Sequence, residues 1–111
     1  MDILFRTQKL RKVFCSERKL VKTYGAEKAE QIKKRMVVLR AATNLAEVPT
    51  VPPFRRHQLK DKYKGFFAVD VKHPFRLIFR PANDPLPKLK DGGIDLKGVT
   101  QIEIITVEDY H

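Results

Sequence analysis

The sequence has one cysteine, no tryptophan, five glycines and only 13 Asp and Glu to set against 23 Lys and Arg. A lone Cys15 cannot close an internal bridge, and there is no CxxC pair or His/Cys cluster at zinc-ligand spacing. A disulfide scaffold and a zinc-stapled fold are therefore set aside, and a reduced, cytoplasmic protein needing no metal or organic cofactor is expected. Cys15 adjoins the apolar Val13 and Phe14, which predicts a packed thiol rather than a reactive one. No apolar run approaches the roughly 18 residues of a membrane span. Ile3, Leu4 and Phe5 between Asp2 and Arg6 fall short of a signal-peptide core, so no membrane role is expected.

What the chain has in excess is positive charge. Its 111 residues are 42% hydrophobic, enough for one domain spanning 1–111 that buries roughly two-thirds of its unfolded surface. The net charge is +10, unevenly spread. Residues 1–45 hold twelve Lys and Arg against four acids, residues 55–80 hold eight against two, and residues 81–111 reverse the balance with three against six. Two basic zones followed by an acidic tail attract a phosphate backbone at long range, with strong salt dependence.

Hydrophobic spacing gives the order of elements. Residues 2–6 alternate as a short strand, and Thr7 is suited to cap a helix. Leu10, Val13 and Phe14 fall on one helical face, Leu20, Val21 and Tyr24 form a second patch, and Ser16 between them is a restart point. After Gly25, the apolar Ala29, Ile32, Met36 and Leu39 repeat every three or four residues, with Lys33, Lys34, Arg35 and Arg40 filling the charged remainder of a helix. Pro49, Pro52 and Pro53 make residues 44–53 an ordered connector. Residues 65–71 and 75–79 read as strands of an antiparallel hairpin turned at Lys72-His73-Pro74. Residues 81–98, with three prolines and Gly92-Gly93, read as a surface excursion, and residues 102–107 as the last strand. The expected class is α+β, with the helices on one face of a small, mostly antiparallel sheet.

Three separated segments carry groups for acid–base work on a phosphodiester: residues 56–60 with His57 and Lys60, Arg76 on the hairpin, and the terminal Asp109-Tyr110-His111. Metal-independent RNA cleavage needs a 2′-hydroxyl deprotonated, a crowded phosphorane stabilised by cations and a 5′-oxygen protonated. Residue types alone leave each role open. His57 reads equally as a hydrogen-bonded structural histidine, Arg76 as ordinary strand alternation, and Tyr110 and His111 as a frayed end.

Further residues narrow the reading. His57-Gln58-Leu59-Lys60, Lys64-Gly65-Phe66-Phe67-Ala68-Val69-Asp70, Phe75-Arg76-Leu77-Ile78-Phe79 and Val107-Glu108-Asp109-Tyr110-His111 resemble the bacterial HigB-like toxins of the RelE/ParE superfamily across nearly the whole chain. The resemblance implies a small sheet with an N-terminal strand and two N-terminal helices, ribosome-dependent mRNA cleavage, and neutralisation by a cognate helix-turn-helix antitoxin in a hetero-oligomer. It places His57, Lys60, Arg76, Asp109, Tyr110 and His111 at catalytic positions. Arg55, Arg56, Lys62, Lys64 and Arg80 adjoin them as candidate RNA contacts. One stretch departs from the pattern. Where such toxins often carry Gly-Asp-Arg, this chain has Asp61-Lys62-Tyr63.

Two other readings keep the same charge. A ParE-like inhibitor of DNA gyrase shares the implied fold but lacks the catalytic set, and a plain nucleic-acid-binding module treats the terminal triplet as incidental.

Overall fold

The computed structural model describes residues 1–109. Tyr110 and His111, two of the six candidate catalytic residues, lie outside the described residues. Strand β1 (Asp2–Phe5) leads to helices α1 (Gln8–Phe14), α2 (Glu17–Tyr24) and α3 (Ala26–Ala41), then to strands β2 (His57–Gln58), β3 (Phe67–Lys72), β4 (Phe75–Pro81) and β5 (Gln101–Asp109). The first helical stretch is split, giving three helices where the resemblance implies two. The cause is local: the Thr7 hydroxyl accepts from the amide of Leu10 at 3.1 Å, and the Ser16 hydroxyl accepts from that of Lys19 at 3.2 Å. Two capping side chains nine residues apart start two helices. Gly25 then turns the chain at φ 87°, a left-handed value glycine adopts without a side-chain penalty, and α3 begins.

The sheet runs β1-β5-β4-β3-β2. β1 lies parallel to β5, with Asp2 opposite Gln101 and Phe5 opposite Ile104, and every other pairing is antiparallel. The two-residue strand β2 was not expected from the sequence. A register shift in the β4–β5 pair sets Ile78 opposite Thr106 and Phe79 opposite Ile104, leaving Ile105 as the extra residue of a bulge. The bulge lets consecutive isoleucines be buried in different places: Ile104 joins the main core and Ile105 a smaller cluster.

That main core lies between the helices and one sheet face. The α3 stripe of Ala29, Ile32, Met36 and Leu39 is buried as its spacing predicts, against Phe67, Val69, Leu77 and Phe79. Each such large side chain contributes about 1.5–3 kcal/mol on leaving water. Two expectations are corrected. Arg35 is not part of the solvated face but is 4% exposed, because its guanidinium donates to the carbonyls of Asp70 at 2.7 Å and Val71 at 3.3 Å, beneath β3. Burial lowers its pKa, and the Asp70 carboxylate opposes that shift. Cys15, at the end of α1, is exposed rather than packed.

Beyond Pro81, which ends β4, residues 82–98 form the expected excursion, with an isolated bridge between Lys88 and Ile94 and a turn of 3-10 helix at Leu96–Gly98, but it is not purely superficial. Ile94 and Leu96 pack against the main core, and the Asn83 side-chain oxygen accepts from the amides of Thr100 and Gln101 at 3.0 and 3.1 Å. The excursion is thus pinned at the start of β5. Among the described residues no helix is long and apolar enough to cross a membrane.

Candidate active site on the open sheet face

Among the described residues no α-helix covers the second face of the sheet. Its middle is a small apolar cluster in which Ala68, Ile78 and Ile105 sit with Leu59, Tyr63 and Phe66. The last three come from the segment between β2 and β3, which folds back as a short turn of 3-10 helix, Asp61–Tyr63. Around the cluster the strand alternation that buries Val69, Leu77 and Phe79 on the helix side leaves Asp70, Arg76 and Arg80 on the open side.

Register fixes how the candidate residues meet. His57 lies opposite Ala68, which lies opposite Ile78, which lies opposite Thr106, forming one row across four strands. Asp70, Arg76 and Glu108 form the row two residues further along β3, β4 and β5. The two rows are about 7 Å apart along the strands, and β2 stands two strand spacings, about 10 Å, from β4. Both histidine and arginine therefore belong to one surface. Asp109 falls in the next row, opposite Phe75, whose ring carries the Lys28 ammonium of α3 at 3.7 Å. On β5 the acid in the Arg76 row is Glu108, not Asp109.

His57 is oriented by its own loop. Its Nδ1 lies 2.8 Å from the Arg55 carbonyl oxygen, and since a carbonyl only accepts, the proton is on Nδ1. In the neutral ring Nε2 is then the basic nitrogen. Arg55 presents that carbonyl from φ 50°, a left-handed conformation uncommon for a residue with a side chain.

The cations are held by acids. The Asp70 carboxylate takes Arg55 Nη1 on Oδ2 at 3.2 Å and faces Arg76 Nε from Oδ1 at 3.3 Å. The second contact is an ion pair without hydrogen-bond alignment, so buried Oδ1 has no hydrogen-bond donor. Arg80 Nε donates to Glu103 Oε1 at 2.7 Å, and Lys62 stands 3.8 Å from Glu108 and 5.0 Å from the Tyr63 ring. Lys60 and Lys64 flank the 3-10 turn and are exposed. Arg56 is different: its Nε donates to the Val48 carbonyl at 2.9 Å, and burial lowers its pKa, so this guanidinium braces the connector.

In the departing stretch Asp61 holds φ 57°, a left-handed value that Asp tolerates better than most side chains. Tyr63 packs against Phe66 with ring centroids 5.7 Å apart and planes tilted by 33°, and lines a groove of about 510 Å³ with Ile105, Thr106 and Glu108. Asp70 and Glu108 went unnamed as site residues in the sequence reading. Their signal was available, as single acids at alternate positions of apolar strands, but which cation each would face depended on register.

This arrangement joins a histidine with a basic nitrogen, arginines that can grip an anion, and three acids, Asp70, Glu103 and Glu108, each paired with a cation. It can deprotonate a hydroxyl beside a bound phosphate. Among the described residues no group of three or more His, Cys, Asp and Glu is placed to hold a metal.

The architecture itself has close parallels in shape. The chain has the RelE/ParE-like toxin fold. It superimposes on the YoeB/ParE toxin from Agrobacterium tumefaciens over 100% of both chains, with a TM-score of 0.58 at 11% identity. YoeB in the YoeB–YefM complex from Staphylococcus aureus matches all of this chain and 97% of its own, with a TM-score of 0.56 at 13% identity. YafQ from E. coli matches 97% of this chain and 91% of its own, with a TM-score of 0.56 at 19% identity. No protein-family model matches the sequence, and no curated protein matches it.

Proposed function

We infer that this chain is the toxin of a toxin–antitoxin pair and that it cuts mRNA on the ribosome by metal-independent acid–base chemistry. The observation that carries the reading is the His57 imidazole, with Nδ1 committed to the Arg55 carbonyl and Nε2 left basic, on the same sheet face as Arg76. Histidine Nε2 takes the proton of a 2′-hydroxyl, whose oxygen attacks the adjacent phosphorus. The P–O5′ bond breaks, leaving a 2′,3′-cyclic phosphate and a 5′-oxygen that must receive a proton. Arg76, supported by Arg55 and Lys60, balances the charge of the phosphorane. The sequence left acid and base open; in this proposal His111 is the proton donor, Tyr110 a stacking or positioning group, and Asp109 orients its neighbours.

YoeB and YefM from Staphylococcus aureus form a heterotetrameric toxin–antitoxin complex, which supports a protein antitoxin as partner. A helix-turn-helix antitoxin in a hetero-oligomer is the form proposed here, with ribosome and mRNA as the other partners and the cytoplasm as the place of action.

The deciding experiment is to induce the wild-type chain and a His57→Ala/His111→Ala variant in bacteria, map mRNA 5′ ends and count viable cells. New 5′ ends with the wild type and none with the variant support the nuclease. Growth arrest with intact transcripts overturns it in favour of a gyrase-type inhibitor. Absence of arrest favours a plain binding module.

A further inference from the structure

The open face does not stop at β5. β1 ends at Phe5, and after the Arg6 amide donates to the Ile104 carbonyl at 2.9 Å the chain leaves the sheet for α1. From Ile105 onward β5 has no strand on that side among the described residues. The groove of about 510 Å³ opens there. It runs from Thr106 and Glu108 on the open face to half-buried Leu10 and Val13 of α1, with Tyr24 and Tyr63 in its lining and exposed Lys9 beside them. A second groove of about 440 Å³ lies between α1 and α2 and shares Lys9, Val13 and Thr23 with the first. The two grooves therefore adjoin at these three residues, and a strand crossing them would follow both as one channel.

Its far half is a cationic trough. Lys9 and Lys12 stand three residues apart on α1, Lys19 and Lys22 three apart on α2, so each pair occupies one helix face and all four line the groove. All four are exposed, and none is in an ion pair among the described residues. Residues 6–24 carry seven Lys and Arg and a single acid, Glu17. That acid is already taken, with its carboxylate 2.9 Å from Lys33 of α3. No carboxylate of the hairpin is left to compete with an incoming anion.

Lysines along one stretch and tyrosines at the entrance match one chemical class. A single nucleic-acid strand lays phosphates on ammonium groups and bases on aromatic rings, whereas a duplex keeps its bases stacked away from the tyrosines. We propose that this channel carries the single-stranded stretch of substrate RNA flanking the cut, led from the His57–Arg76 face over the free edge of β5 into the α1–α2 trough. The proposal rests on the reading of the open face as an RNA-cleaving face. It adds the path of the strand and the residues that hold it.

The test is fluorescence anisotropy with non-cleavable 2′-O-methyl RNA of about 5 and about 12 nucleotides, lengths below and beyond the reach of the open face alone. The wild type is expected to bind the longer strand at least about tenfold more tightly. A Lys9→Gln/Lys12→Gln/Lys19→Gln/Lys22→Gln variant should lose that gain, keep its affinity for the short strand and show a salt slope shallower by about 2–3, from roughly 0.7 per phosphate released. The matching four Lys→Arg changes should retain the gain. The pairwise variants Lys9→Gln/Lys12→Gln and Lys19→Gln/Lys22→Gln should each lose part of it, and they decide the matter if the fourfold variant melts early. Two results overturn the proposal: an undiminished length gain in the glutamine variants, or equal affinity of the wild type for a duplex of the same length. Because these strands are not cut, a length gain in a chain that cleaves nothing keeps the channel while the nuclease reading falls. Cleavage without a length gain does the reverse.

Discussion

The imidazole of His57 is held by the carbonyl of Arg55, two residues earlier, across 2.8 Å and from a backbone at φ 50°. The side chain proposed to take the proton is thus aimed by main-chain geometry. ¹⁵N spectra of the folded protein near neutral pH should show His57 as the Nδ1–H tautomer. Arg55→Gly should preserve that signature, since glycine takes the left-handed conformation freely. Arg55→Val, which resists it by about 1–2 kcal/mol, should blur the tautomer and lower the cleavage rate further than Arg55→Gly does. Direct removal by His57→Ala should cost about 10²–10⁴-fold in rate with little change in melting temperature.

Asp70 sits between Arg55 and Arg76 where a phosphate is proposed to bind. Asp70→Asn removes the competing charge and the anchor together. Non-cleavable RNA should bind this variant more tightly, by about 2–10-fold, while single-turnover cleavage slows because Arg76 is no longer positioned. Tighter binding with unchanged cleavage would show that Arg76 needs no such support.

Arg35 satisfies two carbonyls beneath β3 and packs its guanidinium 4.9 Å from the Phe54 ring. Arg35→Met fills similar volume but leaves both carbonyls without this donor, and should destabilise the protein by about 2–4 kcal/mol in urea titration. Arg35→Lys, with a point donor instead of a fork, should fall between.

Asp61 at φ 57° predicts a simple contrast. Asp61→Gly should leave stability within about 0.5 kcal/mol or raise it, and Asp61→Val should lower it by about 1–2 kcal/mol. Thermal melts of the two variants check the sign.

How far the sequence spoke depended on whether a signal was local. The α3 stripe was legible because its apolar spacing repeats over a long helix, and the β3–β4 hairpin because two apolar runs flank His73-Pro74. The site's outline was legible through the resemblance and through single polar residues on apolar strands. What was hidden is what depends on distant partners. β2 is two residues long and shows no period. Arg35 looks like any lysine-rich helix position until Asp70 and Val71 supply carbonyls 35 and 36 residues away. The pairing of Asp70 with two arginines required the register, and the α1–α2 trough required two helices to be laid side by side.

The parallel pairing of β1 with β5 has a consequence for how the molecule is made. Asp2 finds its partner Gln101 only after the 98 residues between them have been made, so β1 waits for β5. Such long-range closure belongs to the slower class of small-domain folding, in the millisecond-to-second range. The sheet therefore stays unfinished until β5 has been made, and the face on which we propose RNA cleavage is assembled only when β5 takes its place between β1 and β4.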